Sequence, residues 1–295
     1  MQTRHASTIG QYEVPVSVEE AARAMSDGRA TILAGGTDLM LQTRSGKRRI
    51  SGKLVNISRI HALRGIDIGD DVVRIGALTR ITDILDSDRL RECVRVLVDT
   101  ANHFASPQIR NAATVGGNLC NASPSADMAI PFLLLDAGIE LVCWRNGALA
   151  ARRLPLDLFF KAPGETARRP DELLTRVEFP LPQPGFFAGF CKSGRRPALE
   201  IATASVGIAG FLGKGALTQV RVAVGASAPI PLRARRAEAV LEGRPLRSGV
   251  IAEAAEAAAG ESLPIDDVRA SAWYRLHLIR TYMTRLLTNA ASDSG

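Results

Sequence analysis

The sequence predicts an α+β protein in two parts, and three observations carry that prediction. Near the N-terminus a helical repeat, a short apolar run and a glycine-rich turn follow one another in compact α/β order. At 181-LPQPG-185 two prolines and a glycine break the chain within five positions. Beyond that break the texture changes to two long β-like runs followed by helical stretches, so the chain divides into residues 1–183 and 184–295. A length of 295 residues suits one to two ordinary domains.

The elements follow in order. Ser17 can cap a helix and Glu20 stands three residues later, the pattern of a capping box. Val18, Ala21, Ala22 and Met25 then fall at i, i+3, i+4 and i+7, one apolar stripe, and Gly28 ends the helix. The strand 31-TILA-34 runs into 34-AGGTD-38. Strands are predicted near 53-KLVNIS-58, 63-LRGIDI-68 and 72-VVRIGA-77, with Gly69-Asp70-Asp71 as a hairpin turn. Helices are predicted over 80–85 and, as one piece, over 89–104. A second glycine-rich stretch, 112-AATVGGNLCNASPSAD-127, reads as a loop that leads into an apolar helix over 128–137. Strands at 139–144 and 173–180 complete the first part. In the second part, strands over 200–212 and 217–226 precede helices at 233–243, 249–260 and 271–289. The last helix places Leu276, Ile279, Met283, Leu286 and Leu287 on one face, either core or a partner surface, with core favoured.

Composition excludes several classes. A hydrophobic fraction of 46% and a charged fraction of 23% are those of a globular protein that can bury a core. No apolar run approaches the ~18 residues of a membrane span. The N-terminal MQTRHASTIG lacks the apolar core of a secretory leader, which points to the cytoplasm. Cys93, Cys120, Cys143 and Cys191 stand far apart, without the clustering that zinc or an iron–sulfur centre needs. The net charge of +7 is dispersed, with small clusters such as 44-RSGKRR-49. Without a nucleic-acid motif, those clusters read as solvated surface or as patches for acidic partners and phosphate-bearing ligands.

The chemistry rests on the two glycine-rich stretches. Gly35 and Gly36 offer bare backbone whose successive N–H groups can form an anion-binding nest. Thr37 adds a hydroxyl, and Asp38 can fix the turn or accept from a ligand hydroxyl. The pattern is neither GxGxxG nor a P-loop, and alone it is equally a structural turn. Thr114, Gly116, Gly117, Asn118, Asn121, Ser123 and Asp127 crowd small hydrogen-bonding residues together, enough to wrap a second phosphate and a sugar. Asp127 is either an acceptor for a sugar hydroxyl or the cap of the following helix.

On these residues a resemblance becomes specific. Residues 32-ILAGGTDLM-40 and 114-TVGGNLCNASPSADMAIPFLLLDA-137 resemble the flavin-binding medium subunits of molybdenum hydroxylases. That family includes the medium subunits of carbon monoxide dehydrogenase and the flavin domain of xanthine dehydrogenase. The likeness continues through 171-DELLTRVEFP-180 and 190-FCKSGRRPALEIATASV-206 and spans nearly the whole chain. It implies a two-part, flavin-clasping FAD-binding domain of the PCMH type, followed by a small C-terminal α+β domain with a three-stranded sheet and helices.

It further implies that Ala34, Gly35, Gly36, Thr37, Asp38 and Leu39 form one pyrophosphate loop. Thr114, Gly116, Gly117, Asn118, Asn121 and Asp127 would line a second. Phe104 would lie against the adenine, Leu174 against the isoalloxazine and Lys192 near the cofactor, each with packing or a surface role as the alternative. FAD would be noncovalent, since His5, His61, His103 and His277 all lie outside the glycine-rich stretches. Molybdopterin and two [2Fe-2S] clusters would sit on partners, a large and a small subunit, in a heterotrimer or a dimer of heterotrimers. Electrons would reach FAD from the clusters and leave to an external acceptor. Two rivals stand beside this reading: a solitary flavin reductase of the same fold, and a basic nonenzymatic binding module.

Overall fold

A computed structural model describes residues 8–194 and 200–292. Residues 1–7, 195–199 and 293–295, with them His5 and the Arg195–Arg196 pair, lie outside the described residues.

The chain begins with β1 (Thr8–Glu13), α1 (Val18–Ala24), β2 (Ala30–Leu33), α2 (Leu39–Arg44) and β3 (Ser51–Asn56). The three strands run parallel in the order β1-β3-β2. At the start of α1 the Ser17 hydroxyl accepts from the Glu20 N–H at 3.1 Å. The Glu20 carboxylate reaches back to the Val16 N–H at 2.8 Å, one residue further out than the standard capping box. Ala21 and Met25 then bury their side chains against Val55, Ile57, Ile60 and Leu63.

The middle of the chain holds β4 (Ile66–Ile68), β5 (Val72–Gly76), α3 (Ile81–Leu85), α4 (Asp88–Cys93), α5 (Arg95–Asn102), α6 (Pro107–Arg110), α7 (Val115–Asn121) and α8 (Ala129–Leu134). It closes with β6 (Gly138–Arg145), β7 (Ala148–Pro155), β8 (Phe160–Ala162), β9 (Glu165–Thr166) and β10 (Leu173–Pro180). Five strands form an antiparallel sheet in the order β4-β5-β10-β6-β7. Alternation is clean along β5 and from Thr175 to Pro180 of β10. Val73, Ile75, Ile139, Leu141, Val177 and Phe179 face the helices in one core. The intervening residues carry ion pairs on the outer face, Arg176–Glu140 at 2.6 Å and Arg153–Glu178 at 2.9 Å.

Three expectations change here. The predicted single helix over 89–104 is two helices, because Val94 leaves helical geometry (φ −143°, ψ 51°) with its side chain buried. The predicted strand 63–68 keeps only its last three residues, because Gly65 (φ +105°) turns the chain after a 3₁₀ turn at His61–Leu63. The stretch 112–127 is not a loop throughout: its centre is α7, capped by Thr114, whose hydroxyl accepts from the Gly117 N–H at 3.1 Å.

The last part holds β11 (Phe186–Ser193), β12 (Ala204–Gly213), β13 (Ala216–Gly225), β14 (Leu232–Arg233), α9 (Arg235–Leu241), α10 (Ser248–Glu261) and α11 (Ala272–Ser292). Three long antiparallel strands make its sheet, with the two-residue β14 at the edge. The two faces of this sheet differ. Val206, Ile208, Val222 and Val224 pack on the three helices, where Ile279, Met283, Leu286 and Leu287 settle the α11 stripe as core. Gly207 and Gly225 face α8: a Cβ on Gly207 would lie 2.7 Å from a Leu134 methyl, and one on Gly225 3.0 Å from Ile130. Arg275, 3% exposed, anchors α11 by donating to the carbonyls of Thr203 (2.6 Å) and Ala226 (2.7 Å) and to Asp267 (2.6 Å).

Candidate functional site

The turn that leaves β2 is shaped by how closely another segment approaches it. A Cβ on Gly35 would stand 1.9 Å from the carbonyl oxygen of Ala112, so the first glycine-rich turn and the lead-in to the second touch backbone to backbone. Gly36 takes φ +71°, a conformation open to glycine at little cost. Through this turn and into α2, the main-chain N–H groups of Gly35, Gly36, Thr37, Asp38 and Leu39 donate to no protein acceptor among the described residues. Such a row of unpaired donors is a nest for an anion.

The second segment is built otherwise. Val115 N–H donates to Thr79 O at 3.0 Å, Gly116 N–H to Ala77 O at 2.8 Å, Gly117 N–H to the Thr114 hydroxyl and Asn118 N–H to Thr114 O. Its first-turn donors are therefore consumed by the protein. A Cβ on Gly116 would lie 2.8 Å from that of Ala77, which explains glycine in a helix that it otherwise weakens. What this segment presents instead is side chains. Asn118 keeps a buried Oδ1 without a hydrogen-bond partner, and Asn121 Oδ1 accepts from Gln42 of α2 at 2.9 Å.

The two segments line one cleft that is continuous with solvent. The structure brings into it Ala34, Gly35, Gly36, Thr37, Asp38, Leu39, Phe104, Thr114, Gly116, Gly117, Asn118, Asn121 and Leu174. Phe104 and Leu174 are buried in its wall. Asp38 makes no capping bond at α2, and burial pushes its carboxyl pKa above the usual range. The thiol of Cys120, also in the wall, is pushed up by burial and so stays protonated.

Asp127 and Lys192 do not line this cleft; they meet each other. Lys192 Nζ lies 2.5 Å from Asp127 Oδ2 and donates to the carbonyl of His103 at 2.9 Å, next to Phe104. Both side chains are buried, at 8% and 6% exposure for the acid and the base. Burial raises the Asp127 pKa, and the neighbouring Lys192 pulls it back. Asp127 caps no helix with its side chain, and its Oδ1 has no partner.

Several wall residues lay outside the sequence reading. Leu173 joins Leu174 because the β10–β6 register shifts between Leu174 and Arg176, relaxing strict alternation. Arg168 reaches the wall while donating to the carbonyls of Arg169 (3.0 Å) and Glu172 (2.6 Å), and nothing in its sequence context marks it. Arg48 also lines the cleft, and its signal was available in the basic cluster 44-RSGKRR-49.

Residues 6–182 match the family described as "FAD binding domain in molybdopterin dehydrogenase", and residues 189–290 match "CO dehydrogenase flavoprotein C-terminal domain". The xanthine dehydrogenase FAD-binding subunit of Escherichia coli O157:H7 is 32% identical over 291 residues, covering 97% of this chain and 98% of that one. In solved structures, a chain of carbon monoxide dehydrogenase from Hydrogenophaga pseudoflava superposes with a TM-score of 0.92 at 28% identity, covering 98% and 99% of the two chains. A chain of quinoline 2-oxidoreductase from Pseudomonas putida 86 gives 0.87 at 26% identity, covering 100% and 99%.

Proposed function

Because this chain belongs to the family of FAD-binding medium subunits of the xanthine and carbon monoxide dehydrogenases, we propose that its cleft holds FAD noncovalently as an electron-transfer station. The observation that carries this reading is the row of unpaired N–H groups from Gly35 to Leu39 in the cleft that both glycine-rich segments line. These donors hold the diphosphate. Thr37 adds its hydroxyl, and the carboxyl of Asp38 accepts from a sugar hydroxyl. The buried Oδ1 of Asn118 accepts an N–H or O–H of the ligand, which removes the penalty of its lacking a partner. Phe104 and Leu174 flank the planar rings and keep water from them. Thr114, Gly116 and Gly117 hold α7 against β5 as the facing wall. Asp127 and Lys192 fix the wall behind Phe104.

Bound FAD supplies redox chemistry that takes electrons singly and passes them on singly or in pairs. This chain supplies binding, orientation and a partly dry pocket. The donor is a small [2Fe-2S] subunit, itself fed by a large molybdopterin subunit, in a cytoplasmic heterotrimer or a dimer of heterotrimers. Residues 1–183 form the FAD-binding domain and residues 184–295 the C-terminal domain. Purification of the full chain, with its partners coexpressed, tests the reading. A yellow complex whose flavin is released by denaturation without proteolysis, and which contains an iron–sulfur chain, is the expected result. A colourless chain that takes up no added FAD refutes the cofactor assignment. A yellow chain that purifies alone from coexpressing cells and turns over a substrate unaided refutes the subunit assignment.

A further inference from the structure

The nest accounts for hydrogen bonds to a diphosphate but not for its charge. A dinucleotide diphosphate carries roughly two negative charges, and uncompensated charge is costly in a partly dry cleft. Asp38, also in the wall, adds another negative group whenever it is ionised. The cationic side chains among the residues lining the cleft are Arg48 and Arg168. Arg168 already donates to two carbonyls and lies on the chain segment just before β10. Arg48 has no ion-pair or side-chain hydrogen-bond partner among the described residues.

Local structure places Arg48 where such a charge is needed. After α2 the chain folds back: Ser45 N–H donates to Leu41 O at 2.9 Å and Gly46 N–H to Thr43 O at 3.1 Å, with Gly46 at φ +76°. Arg48 N–H then donates to Gln42 O at 3.1 Å, and the Gln42 side chain bonds Asn121 on the opposite wall. The main chain of Arg48 is thus tied to Gln42, whose side chain reaches the opposite wall, in the same α2 whose N-terminal donors form the nest. We propose that Arg48 is the counter-cation of the diphosphate. The proposal rests on the FAD reading of the cleft and adds to it a residue and a role.

The test titrates deflavinated full-length chain with FAD, ADP and riboflavin at low and high salt. Arg48→Gln is expected to weaken FAD and ADP by at least about tenfold, and to flatten the salt dependence of both, while riboflavin, which has no phosphate, changes less than about twofold. Arg49→Gln, one residue along and outside the cleft wall, should shift all three by less than about twofold. Arg48→Gln binding FAD and ADP as the wild type does overturns the proposal. So does an equal loss for riboflavin, or a loss in Arg49→Gln as large as that in Arg48→Gln. A wild-type chain that binds none of the three sinks the FAD reading itself, and this proposal with it.

Discussion

The two glycine-rich segments, 34–39 and 114–121, look alike in composition and do opposite things with their backbone. In the first, five successive N–H groups face the cleft without a protein acceptor. In the second, the N–H groups of residues 115–118 are all satisfied, two of them by the carbonyls of Ala77 and Thr79. Gly35 and Gly116 both make room for close protein packing, and the two segments differ in what their N–H groups do. Gly116 is there so that α7 can lie against the end of β5, and its neighbours then offer amide side chains to the cleft. The lesson is that a glycine pair marks close approach by something, and only the hydrogen-bond accounting shows whether that something is a ligand or the protein itself.

That contrast can be broken or sharpened. The largest effect is expected from Gly35→Ala, where the new methyl meets a backbone oxygen 1.9 Å away that cannot swing aside. A loss of about 3 kcal/mol or more in urea unfolding of the flavin-free chain is expected; a loss under about 1 kcal/mol would mean the two segments do not interlock. Next, Gly116→Ala should cost about 1–3 kcal/mol by crowding Ala77, while the folded fraction keeps most of its flavin affinity. Were affinity to vanish with stability intact, the second segment would be a ligand loop after all. Thr114→Val removes the cap of α7 and should cost about 1 kcal/mol.

The smallest effect is a difference of sign with pH. Burial raises the Asp38 pKa above 3.8, so the folded chain takes up this proton before the unfolded one does. Its contribution to stability therefore grows as pH falls through the raised value and is complete below 3.8. Asp267 behaves in reverse. Burial is the strongest single influence and pushes up, but donation from the Arg269 and Ala270 N–H groups together with the Arg275 guanidinium outweighs it and lowers the pKa to about 2. Its contribution is present above 3.8 and is lost as pH falls towards 2. Urea midpoints followed through this range should therefore lose their upward trend on acidification in Asp38→Asn and their downward trend in Asp267→Asn. Identical profiles for wild type and Asp38→Asn would remove the buried carboxyl from the cleft.

Much of the fold could be read in the sequence, because local signals carried it. The Ser17 cap with its Glu20 partner, the Gly69 turn between β4 and β5, and the α11 stripe all appear where periodicity and turn chemistry put them. One such signal was passed over: Asn146-Gly147, both at positive φ, is the turn that joins β6 to the unpredicted β7. Other features had no local signal. No glycine or proline marks the break at Val94, and the close packing of helix 115–121 depends on distant Ala77, which leaves room only for glycine at 116. The cleft was legible as two segments, because each has its own composition. The pairing of Asp127 with Lys192, 65 residues apart, was not, since an acid near a glycine-rich stretch reads as a ligand acceptor or a cap and nothing local points to a distant lysine.

The uneven faces of the C-terminal sheet bear on how the molecule comes apart. Ile130 and Leu134 of α8 rest on Gly207 and Gly225, positions where the sheet offers them no side chains but a smooth floor. The linker at 181–185 is therefore a place where a protease could sever the chain without separating the pieces. Each half would keep an oily surface that only the other half fits, and the nicked protein would migrate as an intact one until denaturant was added.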